Sequence, residues 1–318
     1  MRSRDEAQVL HRGAFAGPTR RDRVGDPRPR RTRGAPLRQR AVGHALRPSG
    51  QRLMVDLGGS FPFSLRRHAR WMTLAGAPAV VMHPDHGDDS ATTLRSVPWV
   101  LWYHGRAANK ELDSGRYLRW LRGGMACVAI DLPGHGERLD PPLQEPRRVL
   151  EVVRHAEREI DAIVGSVRRL DGFDPDRVGL GGMSAGGMVS MLRLCRTHAF
   201  MGALFESTTG DWSDGVAGAD WPSDLVRALS PIDHLSAWRE IPVLAIHSEL
   251  DQWVPIGSQR RFLDALRARA AHPELINMLA FESTGAPFEH SGFGRMGGLA
   301  KDAGTDFWSR TFGLATDG

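Results

Sequence analysis

Cysteine, long apolar runs and clustered metal ligands are scarce or missing in this 318-residue sequence, and each shortage excludes a class of function. Only two cysteines occur, Cys127 and Cys195, both in apolar surroundings (GMACVAIDL and MLRLCRTH). Two such residues make neither a disulfide framework nor a zinc site. No apolar run approaches the roughly 18 residues that a membrane-spanning helix needs. There is no H-E-x-x-H pair, no dinucleotide fingerprint with its acidic partner, and no glycine loop ending in Lys-Ser/Thr, so no metal or organic cofactor is expected. No internal repeat is found. A soluble, cytoplasmic protein of unspecified oligomeric state is the expectation.

Acids and aromatics are missing from one segment in particular. Residues 1–52 carry fourteen arginines against Asp5, Glu6, Asp22 and Asp26, and Phe15 is their only aromatic residue. That segment has a local balance of +10 where the whole chain has +5, so the remainder is mildly acidic. The basicity therefore does not argue for a nucleic-acid partner. A stretch with so little to bury cannot offset its ordering entropy and is expected to be disordered. The pairs Arg20-Arg21 and Arg30-Arg31 precede no apolar stretch, against a secretory signal, and the four acids weigh against a transit peptide. Residues 1–53 read as a dispensable extension, with Met54 opening a domain over 54–318.

Within 54–318, short apolar runs alternate with amphipathic stretches. WMTLA (71–75) and AVVMH (79–83) read as an opening strand pair separated by a Gly-Ala-Pro turn. VPWVLWYHG (97–105) and the start of MACVAIDLPGHGER (125–138) have the continuous apolar profile of buried parallel strands. A polar helix is expected around 111–122 and a longer one over 146–170, where Val149, Val153, Ile160, Ile163, Val164 and Val167 recur at spacings of three and four. Further strands are predicted at 176–182, 199–207, 241–251 and 275–282, and a terminal helix within 295–313. This alternation predicts an α/β fold with a mostly parallel sheet and helices on both faces. Residues 208–240 exceed one crossover helix. Trp212, Trp221 and Trp238 there either plug the core or belong to a short lid lining a substrate pocket.

The chemistry centres on Gly182-Met183-Ser184-Ala185-Gly186, a G-x-S-x-G pentapeptide between a predicted strand and a predicted helix. Small flanking residues permit the sharp turn, and the following helix aims its positive end at a developing oxyanion. A serine hydroxyl needs a base, and the base needs an orienting acid. Asp251 stands beyond one later strand and His290 beyond the next, at the carboxyl ends where open α/β sheets build their sites. Glu249 and Glu206 compete with Asp251 as the acid. His198, His234, His247 and His272 compete with His290, and two of them, His247 and His272, read as structural. His104 and His135 read as packing residues and Glu137-Arg138 as a loop-closing ion pair. Met183 is expected on a pocket wall and Met188 in the core. The Arg106 side chain is either a solvated surface group or a partner for a substrate carboxylate.

The stretches YHGR, DLPGHGER, GLGGMSAGG, IHSELDQWVP and FEHSGFG, in that order across roughly 54–315, resemble the α/β-hydrolase superfamily. They are most similar to serine esterases of the dienelactone-hydrolase and prolyl-oligopeptidase-like type. The resemblance implies Ser184 as nucleophile, Asp251 as orienting acid and His290 as general base. It places an oxyanion hole on the backbone N–H groups of Ala185 and of Arg106, with Gly105 the alternative to Arg106. A substrate pocket involving Met183, Trp212 and Trp221 is expected. Dienelactone hydrolases carry cysteine at the elbow, so their substrate does not transfer, and the oligopeptidases' N-terminal propeller has no counterpart here. A small-molecule carboxylic ester is the expected substrate. Thioester, amide or C–C hydrolysis by the same residues, or a non-catalytic binding protein on this fold, are the alternatives.

Overall fold

β3 (Val97–Tyr103) and β4 (Ala126–Ile130) are buried at every position, as strands covered on both faces must be. The computed structural model describes residues 61–315 apart from 89, 91, 217 and 218; the expected extension over 1–53 lies outside the described residues. In chain order the elements begin with α1 (Phe63–Arg66), β1 (Ala69–Leu74), β2 (Ala77–Met82), β3, α2 (Ser114–Arg122) and β4. They continue through α3 (Val149–Val167), β5 (Phe173–Met183), α4 (Ala185–Leu194), β6 (Gly202–Glu206) and α5 (Ser223–Leu229). β7 (Val243–Ser248), α6 (Ile256–Arg267), β8 (Ile276–Phe281) and α7 (Gly297–Phe312) complete the series.

The eight strands form one sheet in the order β1-β2-β4-β3-β5-β6-β7-β8. β2 runs antiparallel to β1 and β4, and every later pairing is parallel. Alternate residues of each strand feed opposite faces. Trp99, Leu101 and Tyr103 of β3 join an apolar cluster with α3, α4 and α6, whereas Val100 and Trp102 join a second cluster with α2 and α7. The expected architecture, a mostly parallel sheet sandwiched between helices, is the one observed.

Two local expectations need correction. The β1–β2 turn is Ala75-Gly76, with φ of 49° and 88°, and Ala77 and Pro78 already pair within the ladder. Two left-handed residues give the hairpin turn whose twist matches the flanking strands. The strand before Ser184 is also longer than its apolar run, because Asp174 caps its polar entry by accepting N–H bonds from Asp176 and Arg177. Between β6 and β7, the chain from Thr208 to Trp212 is buried, followed by α5 and a 3-10 turn over Pro231–Ala237.

Candidate active site

Ser184 sits between β5 and α4 with φ 50° and ψ −119°, a conformation that non-glycine residues seldom adopt and that costs on the order of 1–3 kcal/mol. Hydrogen bonds from both sides hold it there. Its N–H donates to the Glu206 carbonyl at 2.8 Å, and its own carbonyl accepts from Thr208 Oγ1 at 2.8 Å. The flanking glycines are sterically required. A Cβ on Gly186 would lie 2.2 Å from the Tyr103 oxygen, and one on Gly182 would lie 2.4 Å from the Gly186 carbonyl carbon. The G-x-S-x-G spacing thus lets α4 pass directly over the end of β3.

His290 bridges Ser184 and Asp251. Its Nε2 is 2.9 Å from Ser184 Oγ, and its Nδ1 is 2.9 Å and 3.1 Å from the two Asp251 oxygens. A carboxylate can only accept, so Nδ1–H donates and Nε2 is left to receive the serine proton. His290 is 3% exposed. Trp253 tilts over it at 5.0 Å and stacks on Phe288 at 5.1 Å.

Asp251 follows β7, and its Oδ1 accepts the N–H groups of Trp253 at 2.9 Å and Val254 at 2.8 Å. His247 Nε2 lies 2.9 Å from the Val254 carbonyl and 3.4 Å from Asp251 Oδ2. Burial works to raise the Asp251 pKa, but hydrogen bonds and charge from His247 and His290 outweigh it and hold it below the ordinary carboxylate value. The competing acids are engaged elsewhere: Glu206 with Arg116 at 2.6 Å, and Glu249 with Arg260.

Glu289 organises the loop that carries His290. Its carboxylate accepts the Thr284 N–H at 2.6 Å, Thr284 Oγ1 at 2.7 Å, the Gly285 N–H at 2.8 Å, Ser248 Oγ at 2.8 Å and Ser283 Oγ at 3.0 Å. These bonds, led by those from Thr284, hold its pKa at about 2 despite some desolvation.

On the opposite side of Ser184, Gly105 makes room for the serine: a Cβ there would stand 3.3 Å from Ser184 Cβ. The Leu132 N–H donates to His104 Nε2 at 3.0 Å, leaving Nδ1–H to donate to the Gly105 carbonyl at 2.7 Å. A trans peptide sets its C=O and N–H on opposite sides, so a held Gly105 carbonyl fixes the direction of the Arg106 N–H. Burial lowers the His104 pKa to about 4, keeping the ring neutral. Ala185 opens α4, where N–H groups have no carbonyl one turn back.

The cavity beside Ser184 has a volume of about 30 Å³, with Val149, Met188, Val216 and Trp221 among its apolar walls and Arg106 and Trp253 at one side. Of the pocket residues expected from the sequence, Trp221 lines it. Trp212 is buried behind, its indole N–H donating to the Thr209 carbonyl and its ring edge-on to Trp221 at 6.4 Å. Met183 packs instead into the apolar cluster on the α2–α7 side of the sheet, while Met188 is buried in the core and also reaches the cavity wall. Met183 leaves the pocket because it still follows the two-residue alternation of β5, whereas Met188, one turn into α4, stays in the core as expected.

Trp253, His247 and Glu289 were not anticipated as supports of the site. Only their closeness in sequence to Asp251 and His290 marks them. DLPGHGER is structural: Asp131 accepts the Lys110 Nζ at 2.8 Å and the Glu137 N–H at 2.9 Å, and Arg138 pairs with Glu159 at 2.7 Å. Cys127 and Cys195 are buried free thiols with raised pKa values, that of Cys195 pushed up by burial to about 12.

Residues 158–285 match the model of the prolyl oligopeptidase family, a span that includes Ser184 and Asp251 and stops short of His290. No curated protein matches the sequence. Among solved structures, the chain is similar to TT1662 from Thermus thermophilus, with 24% identity and a TM-score of 0.61 over 78% of this chain and 98% of that one. It is similar to an acylaminoacyl peptidase from Pyrococcus horikoshii, with 18% identity and a TM-score of 0.60 over 79% of this chain but 42% of the peptidase. Esterase 2 from Thermogutta terrifontis shares 17% identity with a TM-score of 0.57, over 79% of this chain and 97% of the esterase. The chain thus spans nearly all of two relatives and less than half of the peptidase. The class defined by fold and family match is the serine hydrolase of α/β-hydrolase fold. Among the described residues, no helix is long and apolar enough to cross a membrane.

Proposed function

We propose that this protein hydrolyses a small carboxylic ester through an acyl-enzyme on Ser184. The observation that carries the reading is the unbroken hydrogen-bonded series from Asp251 through His290 to Ser184 Oγ. Ser184 Oγ attacks the carbonyl carbon as His290 Nε2 takes its proton, and Asp251 stabilises the resulting imidazolium. The carbonyl oxygen gathers negative charge against the N–H groups of Arg106 and Ala185. His290 then returns the proton to the departing alkoxide. In the second half, water gives a proton to His290, attacks the acyl carbon and releases the acid, restoring Ser184.

The walls beside Ser184, Trp221 and Met188 among them, suit a short acyl group. A second reading, hydrolysis of a peptide-like amide, draws on the family match over residues 158–285. Assays of 4-nitrophenyl acetate, butyrate and octanoate beside an N-acylaminoacyl 4-nitroanilide separate the two. Ester turnover with acetate or butyrate ahead of octanoate is expected, together with fluorophosphonate labelling of Ser184. In Ser184→Ala both should vanish, with kcat down by roughly 10⁴-fold or more. Preference for the anilide would replace ester by amide, and a folded wild type that neither labels nor turns over any substrate would overturn the hydrolytic reading.

A further inference from the structure

Arg106 is a permanently charged side chain on the wall of an otherwise apolar pocket, and among the described residues no carboxylate pairs with it. Arg116, Arg138 and Arg193, also withdrawn from water, each pair with an acid: Glu206 at 2.6 Å, Glu159 at 2.7 Å and Asp161 at 2.7 Å respectively. Arg106 has only a carbonyl. Its Nη1 donates to the Gln144 oxygen at 3.0 Å, and its guanidinium carbon stands 5.5 Å from the centre of the Trp253 ring. Carbonyl and indole together orient the group without neutralising it. A guanidinium has five N–H donors, and this anchor uses one. Burial depresses its pKa with no acidic neighbour offsetting the effect, so the cation bears an uncompensated desolvation cost.

We infer that Arg106 is a specificity-determining residue that receives a carboxylate of the substrate, making the preferred substrates esters that carry a negative charge close to the scissile bond. The inference rests on the ester-hydrolase reading above and adds the substrate class. Three observations converge on it. Arg106 shares the cavity wall with Ser184 and His290, so a group bound there belongs to the reacting molecule. The remaining wall residues, including Val149, Val216, Met188 and Trp221, carry no acid that would repel an anion. Apolar walls also strengthen a charge-assisted bond that water would screen. The chemistry is that of a carboxylate next to an ester, whether the charge lies on the acyl or the alcohol side.

Matched substrate pairs test the inference on the full-length protein. Mono-4-nitrophenyl glutarate and its neutral methyl ester probe the acyl side. 4-Acetoxybenzoate and methyl 4-acetoxybenzoate probe the alcohol side. In at least one pair, wild type should favour the anion in kcat/KM by about 10- to 100-fold, the range of one charge-assisted hydrogen bond. Salt should reduce that preference. In Arg106→Met the ratio of anion to neutral substrate should collapse towards one, and Arg106→Lys should keep part of it. The ratio within each enzyme is the readout, so a change in the oxyanion peptide that slows both substrates does not imitate the effect.

Preference for the neutral member of both pairs, with Arg106→Met slowing both members equally, would overturn the inference and leave Arg106 as a brace for the Gln144 loop. The ester-hydrolase reading would stand in that case. If wild type hydrolyses none of the four esters, calorimetric titration of Ser184→Ala with monomethyl and dimethyl glutarate decides the matter without turnover. Tighter binding of the monoanion, lost when Arg106→Met is added, supports carboxylate recognition while the ester reading fails. Equal or weaker binding of the monoanion overturns the inference.

Discussion

Asp251 illustrates how much one carboxylate can be asked to do. It faces two backbone N–H groups through Oδ1 and the rings of His290 and His247 through Oδ2, so every group directed at it is a donor or can be one. An amide at this position has only one accepting oxygen. If that oxygen keeps the Trp253 and Val254 N–H groups, the NH2 faces His290 Nδ1 and favours the tautomer with the proton on Nε2. That tautomer cannot take the Ser184 proton. Asp251→Asn should therefore lower kcat by roughly 10²- to 10⁴-fold with little change in fold, checked by ester turnover beside near-ultraviolet circular dichroism. A kcat within about threefold of wild type would remove Asp251 from the proposed mechanism.

At the scale of elements, the site joins the tight elbow over β3 to the loop between β8 and α7. The loop depends on Glu289, whose five accepted hydrogen bonds gather Ser248, Ser283, Thr284 and Gly285 around the residue preceding His290. Glu289→Gln leaves one accepting oxygen and turns an amide N–H toward those donors. Loss of loop position should reduce kcat by roughly 10-fold or more while the sheet stays intact, since small displacements of reacting groups are costly. An unchanged kcat would mean that Trp253, packed on the His290 ring, suffices to hold it. The strands and the order of Ser184, Asp251 and His290 were legible because β3 and β4 are apolar throughout and because small residues must flank a close backbone approach. Glu289 and Trp253 were not legible. Their roles depend on left-handed backbone at Phe288 and Glu289, with φ of 56° and 52°, which neither residue type signals. Met183 shows the same limit: the pentapeptide is readable, but the position where strand alternation gives way to helical phase is not.

Across the whole molecule, histidine burial should govern behaviour in acid. His104 and His198 have pKa values lowered to about 4, both chiefly by burial, with Arg239 and Arg193 adding to the effect at His198. Burial also lowers His83, His86 and His135. Hydrogen bonding shows why His104 resists protonation, since a proton on Nε2 would have to displace the Leu132 N–H. A histidine whose folded pKa lies below its ordinary value of 6.5 binds fewer protons in the folded state than in the unfolded state between the two values. Its stabilisation is complete above pH 6.5 and is lost as pH falls through 6.5 toward about 4. For His104 the loss is on the order of 3 kcal/mol; His198 is more exposed and should contribute less. The carboxylates act later. Asp85 and Glu289, both held at about 2, begin to cost stability only as pH falls below the ordinary carboxylate values of 3.8 and 4.5. The thermal midpoint should therefore be nearly level from pH 8 to 6.5 and fall steadily below that, before most carboxylates titrate. Melting curves at half-unit pH intervals would check this, and a midpoint that stays level down to pH 4.5 would mean that the buried rings accept protons in place. His104→Gln should flatten part of the slope, because the amide retains a donor and an acceptor without a titrating proton.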